Sequence, residues 1–209
     1  MKISDVILNR NMKNPFFICL LWAIGCNIVF SSARNQRPIS DNRFNKKILE
    51  YINEMRRDPK SFYDKYLEDY IRQKKSRFTD KYIRSLKKTM YESPSLPLFE
   101  TNSQLEKTAL LQMNYLARYG GNKLTHEQGS ISFADRMKNA GLHCLAENLY
   151  ATDNPDALEV VLDLLIDQNV PSLGHRHNLM NPVYTRIGLV NKTFPEGRTL
   201  VVMDFGCKK

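Results

Sequence analysis

The segment GHRHNLM, residues 174–180, holds His175 and His177, two of the chain's four histidines. It follows an apolar segment, 157–166, in which Glu159 and Asp163 are the charged positions. A segment that is apolar on nearly all sides predicts a buried helix. Pro171 and Gly174 break the helical pattern just before His175, so this histidine is expected to follow directly on a core helix.

Two polar residues far upstream are candidates to join His175. His126 comes after a predicted helix, and Glu147 lies on a predicted strand, 142–151. Imidazole can ligate a divalent metal or move protons near neutral pH, and a neighbouring carboxylate fixes its tautomer. We therefore interpret His126, Glu147 and His175 as one polar cluster. The spacing alone leaves open separate surface histidines or hydrogen-bonded core histidines.

The remaining pattern predicts a mixed α+β domain, with a small antiparallel sheet covered by helices. Asp41 is placed to cap a helix that stops before Pro59. Asn154 followed by Pro155 predicts the start of the buried helix. Two further strands, 186–194 and 199–205, are joined by a hairpin connection that contains glycine. Asn191-Lys192-Thr193 matches the acceptor pattern for N-glycosylation.

Residues 1–33 have the layout of a secretory signal peptide. A basic start is followed by an apolar run, 16–30, and by the small residues Ser31, Ser32 and Ala33. The alternative is a membrane anchor, but a spanning helix needs roughly 20 apolar residues, and this run is shorter and contains Asn27. We therefore expect a secreted, extracellular protein with a single domain over residues 34–209 and no stable membrane span after cleavage.

The net charge of +9 bears on possible partners. A basic exported protein can meet anionic lipid, glycan or cell wall. Many of the basic residues fall within 63–91, and a charge run of this kind is usually a solvated face. Nucleic acid is not expected as a partner, because the chain has no stacking-aromatic motif and is predicted to be exported.

Cysteine usage points to one disulfide. Cys19 and Cys26 lie in the predicted leader, which leaves Cys144 and Cys207. Two cysteines in an oxidising compartment favour a disulfide, and the alternative is a pair of buried free thiols. A nucleophilic role for Cys144 is disfavoured because the residue lies on a predicted strand. The common hydrolase and phosphate-loop motifs, such as G-x-S-x-G and H-E-x-x-H, do not occur.

Five short motifs occur in a recognisable order. They are INEMRRDP (52–59), LTH (124–126), AENL (146–149), GHRHNL (174–179) and RIGL (186–189). Together they resemble the CAP superfamily, or SCP-like extracellular domain, which includes cysteine-rich secretory proteins, antigen 5 and plant pathogenesis-related proteins. The short form of the motifs resembles the bacterial and protist branch. The resemblance covers about 42–206, nearly all of the predicted mature chain.

The resemblance implies a three-layer α-β-α sandwich with a large cleft. In that family two histidines and two acidic residues line the cleft, and some members bind a divalent metal such as zinc there. The first histidine corresponds to His126, the strand glutamate to Glu147 and the second histidine to His175. The fourth position is a glutamate in many members. This chain offers Asp167 there, with Asp163 one turn earlier as the second choice.

Three functions are compatible with the resemblance. The first is a non-enzymatic extracellular binding module whose cleft holds a metal or polar ligand and whose apolar surfaces take sterol or lipid. The second is a metal-dependent hydrolase in which Glu147 is the catalytic residue, acting as general base. The third is an effector that acts through its basic 63–91 surface.

Overall fold

The first helix begins after its predicted cap, Asp41, and ends at Arg57, two residues before Pro59. The computed structural model describes residues 41–119, 123–141 and 144–207. Its α-helices are α1 (Asn42–Arg57), α2 (Pro59–Phe62), α3 (Glu68–Gln73), α4 (Asp80–Glu92), α5 (Ser103–Ala117), α6 (Phe133–Asn139), α7 (Ala157–Ile166) and α8 (Gly174–Met180). A π-helical turn, Tyr63–Leu67, joins α2 to α3, and a 3₁₀ turn, Lys75–Arg77, precedes α4.

The described residues also form a mixed four-stranded sheet in the order β1-β3-β4-β2. The strands are β1 (Glu100–Thr101), β2 (Leu145–Thr152), β3 (Tyr184–Thr193) and β4 (Thr199–Cys207). The pairs β2–β4 and β3–β4 are antiparallel, whereas the short β1 runs parallel to β3. Gly197, at φ +94°, closes the β3–β4 hairpin in a conformation that favours glycine.

Helices cover both faces of the sheet. On one face, α1, α4, α7 and α8 pack with alternate strand residues such as Met203 and Phe205. On the other face, Ala109, Met113 and Leu116 of α5 pack against Leu149 and Val202. Since β-strand side chains alternate between faces, each strand supplies both cores. The predicted α+β class and three-layer α-β-α sandwich are confirmed.

The first arginine of the INEMRRDP motif has a structural role. Arg56 is fully buried and donates hydrogen bonds to the backbone carbonyls of Pro97, Leu179, Asn181 and Tyr184. Burial lowers the pKa of its guanidinium to about 10, still far above neutral pH. A single side chain therefore joins α1 to the segment before β1 and to the segment between α8 and β3.

Three local expectations differ from the structure. The cap of α7 is Asp156, whose carboxylate accepts from Glu159 N, so the helix starts later than Asn154-Pro155 predicts. The segment after α7 is itself the short helix α8, which the Pro171 and Gly174 signals obscured. Strand β1 was not predicted, because two residues carry no periodic signal.

A disulfide joins Cys144, just before β2, to Cys207 at the end of β4, with Cα atoms 5.8 Å apart. The predicted pairing is therefore confirmed. The proposed signal peptide, residues 1–33, lies outside the described residues. Within the described ranges, no helix is both long and apolar enough to cross a membrane.

The glycosylation pattern at 191–193 falls on a buried side chain. Asn191 is 2 % exposed. Its amide nitrogen donates to Asp41 O and to Asn45 Oδ1, and its amide oxygen accepts from Asp41 N. The folded protein therefore uses this asparagine to hold the start of α1 against β3, and the side chain is not available as a glycan acceptor.

Candidate histidine–carboxylate site

His175 is held by the end of the preceding helix. Asp167 ends α7 in the left-handed conformation, at φ 57°, and its side chain is 1 % exposed. One carboxylate oxygen accepts from His175 Nδ1 at 2.7 Å, and the other accepts from the backbone N–H groups of His175 and Arg176. Asp167 therefore fixes both the ring and the first turn of α8, and the imidazole is 24 % exposed.

The neighbouring motif residues hold α8 in place. Arg176 is buried and donates to the carbonyl oxygens of Leu165 and Ile166, at the C-terminal end of α7. Burial lowers the pKa of this guanidinium. Asn178 donates to Asn148 Oδ1 at 2.8 Å, and Asn148 donates to His175 O at 3.1 Å. The GHRHN motif thus links α7, α8 and β2.

His126 forms a similar pair with Glu147. The distance from His126 Nδ1 to Glu147 Oε1 is 2.8 Å. The other carboxylate oxygen accepts from Arg136 Nη2, also at 2.8 Å, and the same nitrogen donates to His126 O. Glu147 is 1 % exposed and His126 is 51 % exposed, so a buried acid again orients an accessible ring. With both oxygens engaged, Glu147 is poorly placed to act as a general base.

A second carboxyl group lies beneath this pair. Asp204 is opposite Glu147 in the β2–β4 register and accepts from Thr108 Oγ1 of α5. Burial, followed by the charge of Glu147, raises the pKa of Asp204 to about 8. Among the described residues, Asp204 Oδ1 and two nitrogens of Arg136 are buried without a hydrogen-bond partner. The raised pKa of Asp204 favours its neutral form beside the Glu147–Arg136 pair.

The structure brings the four predicted site residues together as two pairs. Within the described ranges, no group of three or more His, Cys, Asp or Glu side chains is close enough to hold one metal ion. A cage in which His126, Glu147, His175 and Asp167 all coordinate therefore does not fit this geometry. In each pair Nε2 is the ring nitrogen left to bind a metal, because Nδ1 is engaged by the carboxylate.

Asp163, the second choice for the fourth position, belongs to a different cluster. It accepts from the hydroxyls of Tyr70 and Tyr150 and from Arg77 Nη2. Burial and this carboxylate raise the pKa of both tyrosines, so their hydroxyls remain protonated donors. A pocket of about 380 Å³ lies beside this cluster, and its lining also includes Asp167 and His175. Neither His126 nor Glu147 belongs to that lining.

Sequence reasoning did not identify Arg136 and Asp204. Asp204 had a visible signal, because it is a charged residue within an otherwise apolar strand. Arg136 had none, since nothing in its own segment indicates a carboxylate partner. Of the other histidines, His177 is exposed on α8, and His143 lies outside the described residues.

The basic 63–91 surface carries many acidic partners. Lys65 lies 2.8 Å from Glu54, Arg72 lies 2.6 Å from Asp69, and Arg77 lies 3.1 Å from Asp163. Further pairs are Lys74–Glu159, Arg84–Asp80 and Lys87–Glu68. This compensation supports the interpretation of a solvated charged face and gives no support to the effector hypothesis.

The fold and site define a class of protein: a three-layer α-β-α domain in which buried carboxylates orient partly exposed histidines beside the sheet. The chain belongs to the CAP, or cysteine-rich secretory protein, family, whose model matches residues 49–205. This family assignment confirms the resemblance seen in the five motifs. No curated protein sequence matches the chain.

Several solved structures are similar to this chain. An outer surface protein from Borrelia burgdorferi has 19 % identity and a TM-score of 0.54, with 82 % of this chain and 98 % of that chain covered. An extracellular SCP-domain protein from Bacillus anthracis has 22 % identity and a TM-score of 0.42, with 54 % and 35 % covered. NaASP2 with Zn²⁺ has 14 % identity and a TM-score of 0.43, with 80 % of each chain covered. At such identities, the likeness to the Borrelia protein supports the fold alone.

Proposed function

We propose that the protein is a secreted, non-enzymatic binding module of the CAP family. The disulfide between Cys144 and Cys207 supports export, because disulfides persist mainly in oxidising compartments. The leader-like sequence at 1–33 supports the same location. The similar Borrelia burgdorferi protein is described as an outer surface protein.

The proposed ligand of the histidine pairs is a divalent metal such as zinc. One observation carries this proposal: in each pair a buried carboxylate engages Nδ1 and leaves Nε2 of a partly exposed ring as the donor atom. A carboxylate behind a histidine raises its basicity and fixes its orientation toward a metal. Glu147 and Asp167 are therefore assigned an orienting role, and His126 and His175 the coordinating role.

Zinc titration by calorimetry tests this assignment. His126→Ala and His175→Ala should each remove zinc binding or lower its stoichiometry, whereas His177→Ala, which changes an exposed histidine on the same helix as His175, should bind as the wild type does. Glu147→Gln and Asp167→Asn should weaken binding by about tenfold or more, the usual effect of removing an orienting partner. Equal zinc affinity in the wild type, His126→Ala and His175→Ala would remove the metal proposal.

A further inference from the structure

Two tyrosines are in contact at the C-terminal end of α5. Tyr115 belongs to the last turn of the helix, and Tyr119 follows two residues after its end. Their ring centroids are 5.5 Å apart in an edge-to-face arrangement, and the Tyr119 hydroxyl donates to the Tyr115 hydroxyl at 3.4 Å. The i, i+4 spacing places both rings on the same side of the helix end.

The contact between the hydroxyl groups distinguishes this pair from the other tyrosine pairs. All ten tyrosines lie within the described ranges. In two further pairs, Tyr63–Tyr91 and Tyr51–Tyr66, the ring centroids are 5.6 Å and 5.8 Å apart. The hydroxyl groups of Tyr91 and Tyr66 donate to carboxylates instead of to the neighbouring phenol. The three pairs therefore have nearly equal ring distances but different hydroxyl partners.

The surroundings of Tyr115 favour loss of its phenolic proton. The oxygen accepts from the Tyr119 hydroxyl and, at 2.9 Å, from the backbone N–H of Gly129. These hydrogen bonds, together with the positive charges of Lys123 and Arg118, lower the pKa of the Tyr115 phenol. One-electron oxidation of a phenol releases this proton, so the same contacts make Tyr115 easier to oxidise.

Both rings of the pair are accessible to an oxidant dissolved in water. Tyr119 is 45 % exposed, and Tyr115 is half-buried. Tyr63, by contrast, is 3 % exposed, and burial raises the pKa of its phenol. The pair Tyr63–Tyr91 therefore offers an oxidant one accessible ring, whereas the pair at the end of α5 offers two.

We propose that Tyr115 and Tyr119 form a dityrosine cross-link when the exported protein meets a haem peroxidase and hydrogen peroxide. Each phenol loses one electron and one proton to the oxidant, which gives two phenoxyl radicals. One carbon–carbon bond forms between ring carbons next to the hydroxyl groups, and the hydrogens of these two carbons move to the oxygens and restore both phenols. The protein loses two hydrogen atoms in total, and one hydrogen peroxide is reduced to two molecules of water.

The existing contact favours coupling within one chain. Two radicals on neighbouring rings need no encounter between molecules, and proximity of this kind corresponds to a very high effective concentration. Cross-linking involves neither His126 nor His175 and depends on the proposed function only through export of the protein. A failure of zinc binding would therefore leave the cross-link unaffected.

Oxidation of the purified protein with a haem peroxidase and hydrogen peroxide, followed by tryptic digestion and mass spectrometry, tests the proposal. Trypsin cleaves after Arg118, between the two tyrosines. The cross-link should therefore join the peptides 108–118 and 119–123 in a species that is two hydrogen atoms lighter than their sum. Dityrosine fluorescence of the intact protein measures the yield, which should not depend on protein concentration because the coupling is intramolecular.

Phenylalanine variants identify the reacting phenols. Tyr119→Phe and Tyr115→Phe should each lower the dityrosine yield at least about tenfold, because each removes one phenol of the contact. Tyr91→Phe is the matched control, since Tyr91 is 41 % exposed and has a tyrosine neighbour at a similar ring distance, and its yield should equal that of the wild type. Circular dichroism and urea unfolding check that each variant is folded.

The proposal is overturned if the oxidised wild type gives no joined peptide or if Tyr119→Phe forms as much dityrosine as the wild type. It is also overturned if the cross-link is found only in covalent dimers, with a yield that rises with protein concentration. Equal cross-linking of Tyr63 to Tyr91 would contradict it as well, because ring distance alone would then determine the reaction.

Discussion

Asp204 is a buried carboxyl group whose surroundings make the stability of the protein depend on pH. It shares a buried site with Glu147 and Arg136, and one of its oxygens has no hydrogen-bond partner among the described residues. Because its pKa rises from 3.8 to about 8 on folding, the native state keeps a proton that the unfolded chain releases. The stabilisation from this proton is complete below about pH 4 and is lost as the pH rises through about 8.

We therefore expect the wild-type protein to lose at least about 1.4 kcal/mol of unfolding free energy between about pH 5 and pH 8, the equivalent of one pKa unit. Asp204→Asn keeps an acceptor for Thr108 and cannot ionise, so this part of the pH dependence should disappear. Urea unfolding at both pH values measures the difference. Asp153→Asn, at an exposed acid, is the control, and equal pH profiles for the wild type and Asp204→Asn would contradict the assignment.

The sequence motifs pointed to the histidines and acids of the candidate site, but not to the contacts that each of them makes. The sequence identified His126, Glu147, His175 and Asp167, and the structure pairs each histidine with one acid. The pattern could not show that Arg136 occupies the second oxygen of Glu147, because their contact depends on how α6 packs against β2. Long-range side-chain geometry of this kind has no local signal.

At the scale of elements, the contact between α5 and β3 is a very close approach of two backbones. A Cβ atom on Gly188 would lie 2.1 Å from the backbone carbon of Leu105 and 2.2 Å from the nitrogen of Glu106. Such distances leave no room for a side chain, since neither partner is the end of a flexible group. The absence of a side chain at Gly188 therefore allows α5 to lie this close to the sheet.

Gly188→Ala should destabilise the protein by about 3 kcal/mol, since α5 must shift along its first turn. Gly174→Ala provides a matched comparison, because its added Cβ would meet only Ser172 Oγ, at 3.5 Å. That variant should lie within about 0.5 kcal/mol of the wild type. Thermal and urea unfolding measure both changes, and similar stability of the two variants would show that α5 is not held by this contact.

The long periodic elements were predicted well, and the short ones were not. The α1 helix has Ile48, Ile52 and Met55 at helical spacing and a capping aspartate, so its bounds follow from local signals. The start of α7 was misplaced because both Asn154 and Asp156 are good capping residues and only the packed structure selects between them. The α8 helix was missed because seven residues flanked by breakers resemble a loop.

For the whole molecule, the disulfide is a large constraint on the unfolded chain. It closes a loop with a sequence separation of 63 residues, and the chain-entropy relation gives about 4 kcal/mol for such a loop. Cys144→Ser combined with Cys207→Ser should lower the unfolding free energy by about that amount. A reductant should destabilise the wild type and leave the double variant unchanged, and a destabilisation below about 1 kcal/mol would contradict the entropic account.

The burial of Asn191 bears on how the protein is produced in a heterologous host. In a host whose secretory pathway attaches oligosaccharides, the transferase and the closing of the α1–β3 contact would compete for the same amide. A chain that is glycosylated on Asn191 before it folds could not form the hydrogen bonds from this side chain to Asp41 and Asn45. Production in a bacterial periplasm, or with Thr193→Val to abolish the acceptor pattern, avoids this division of the yield into glycosylated and correctly folded chains.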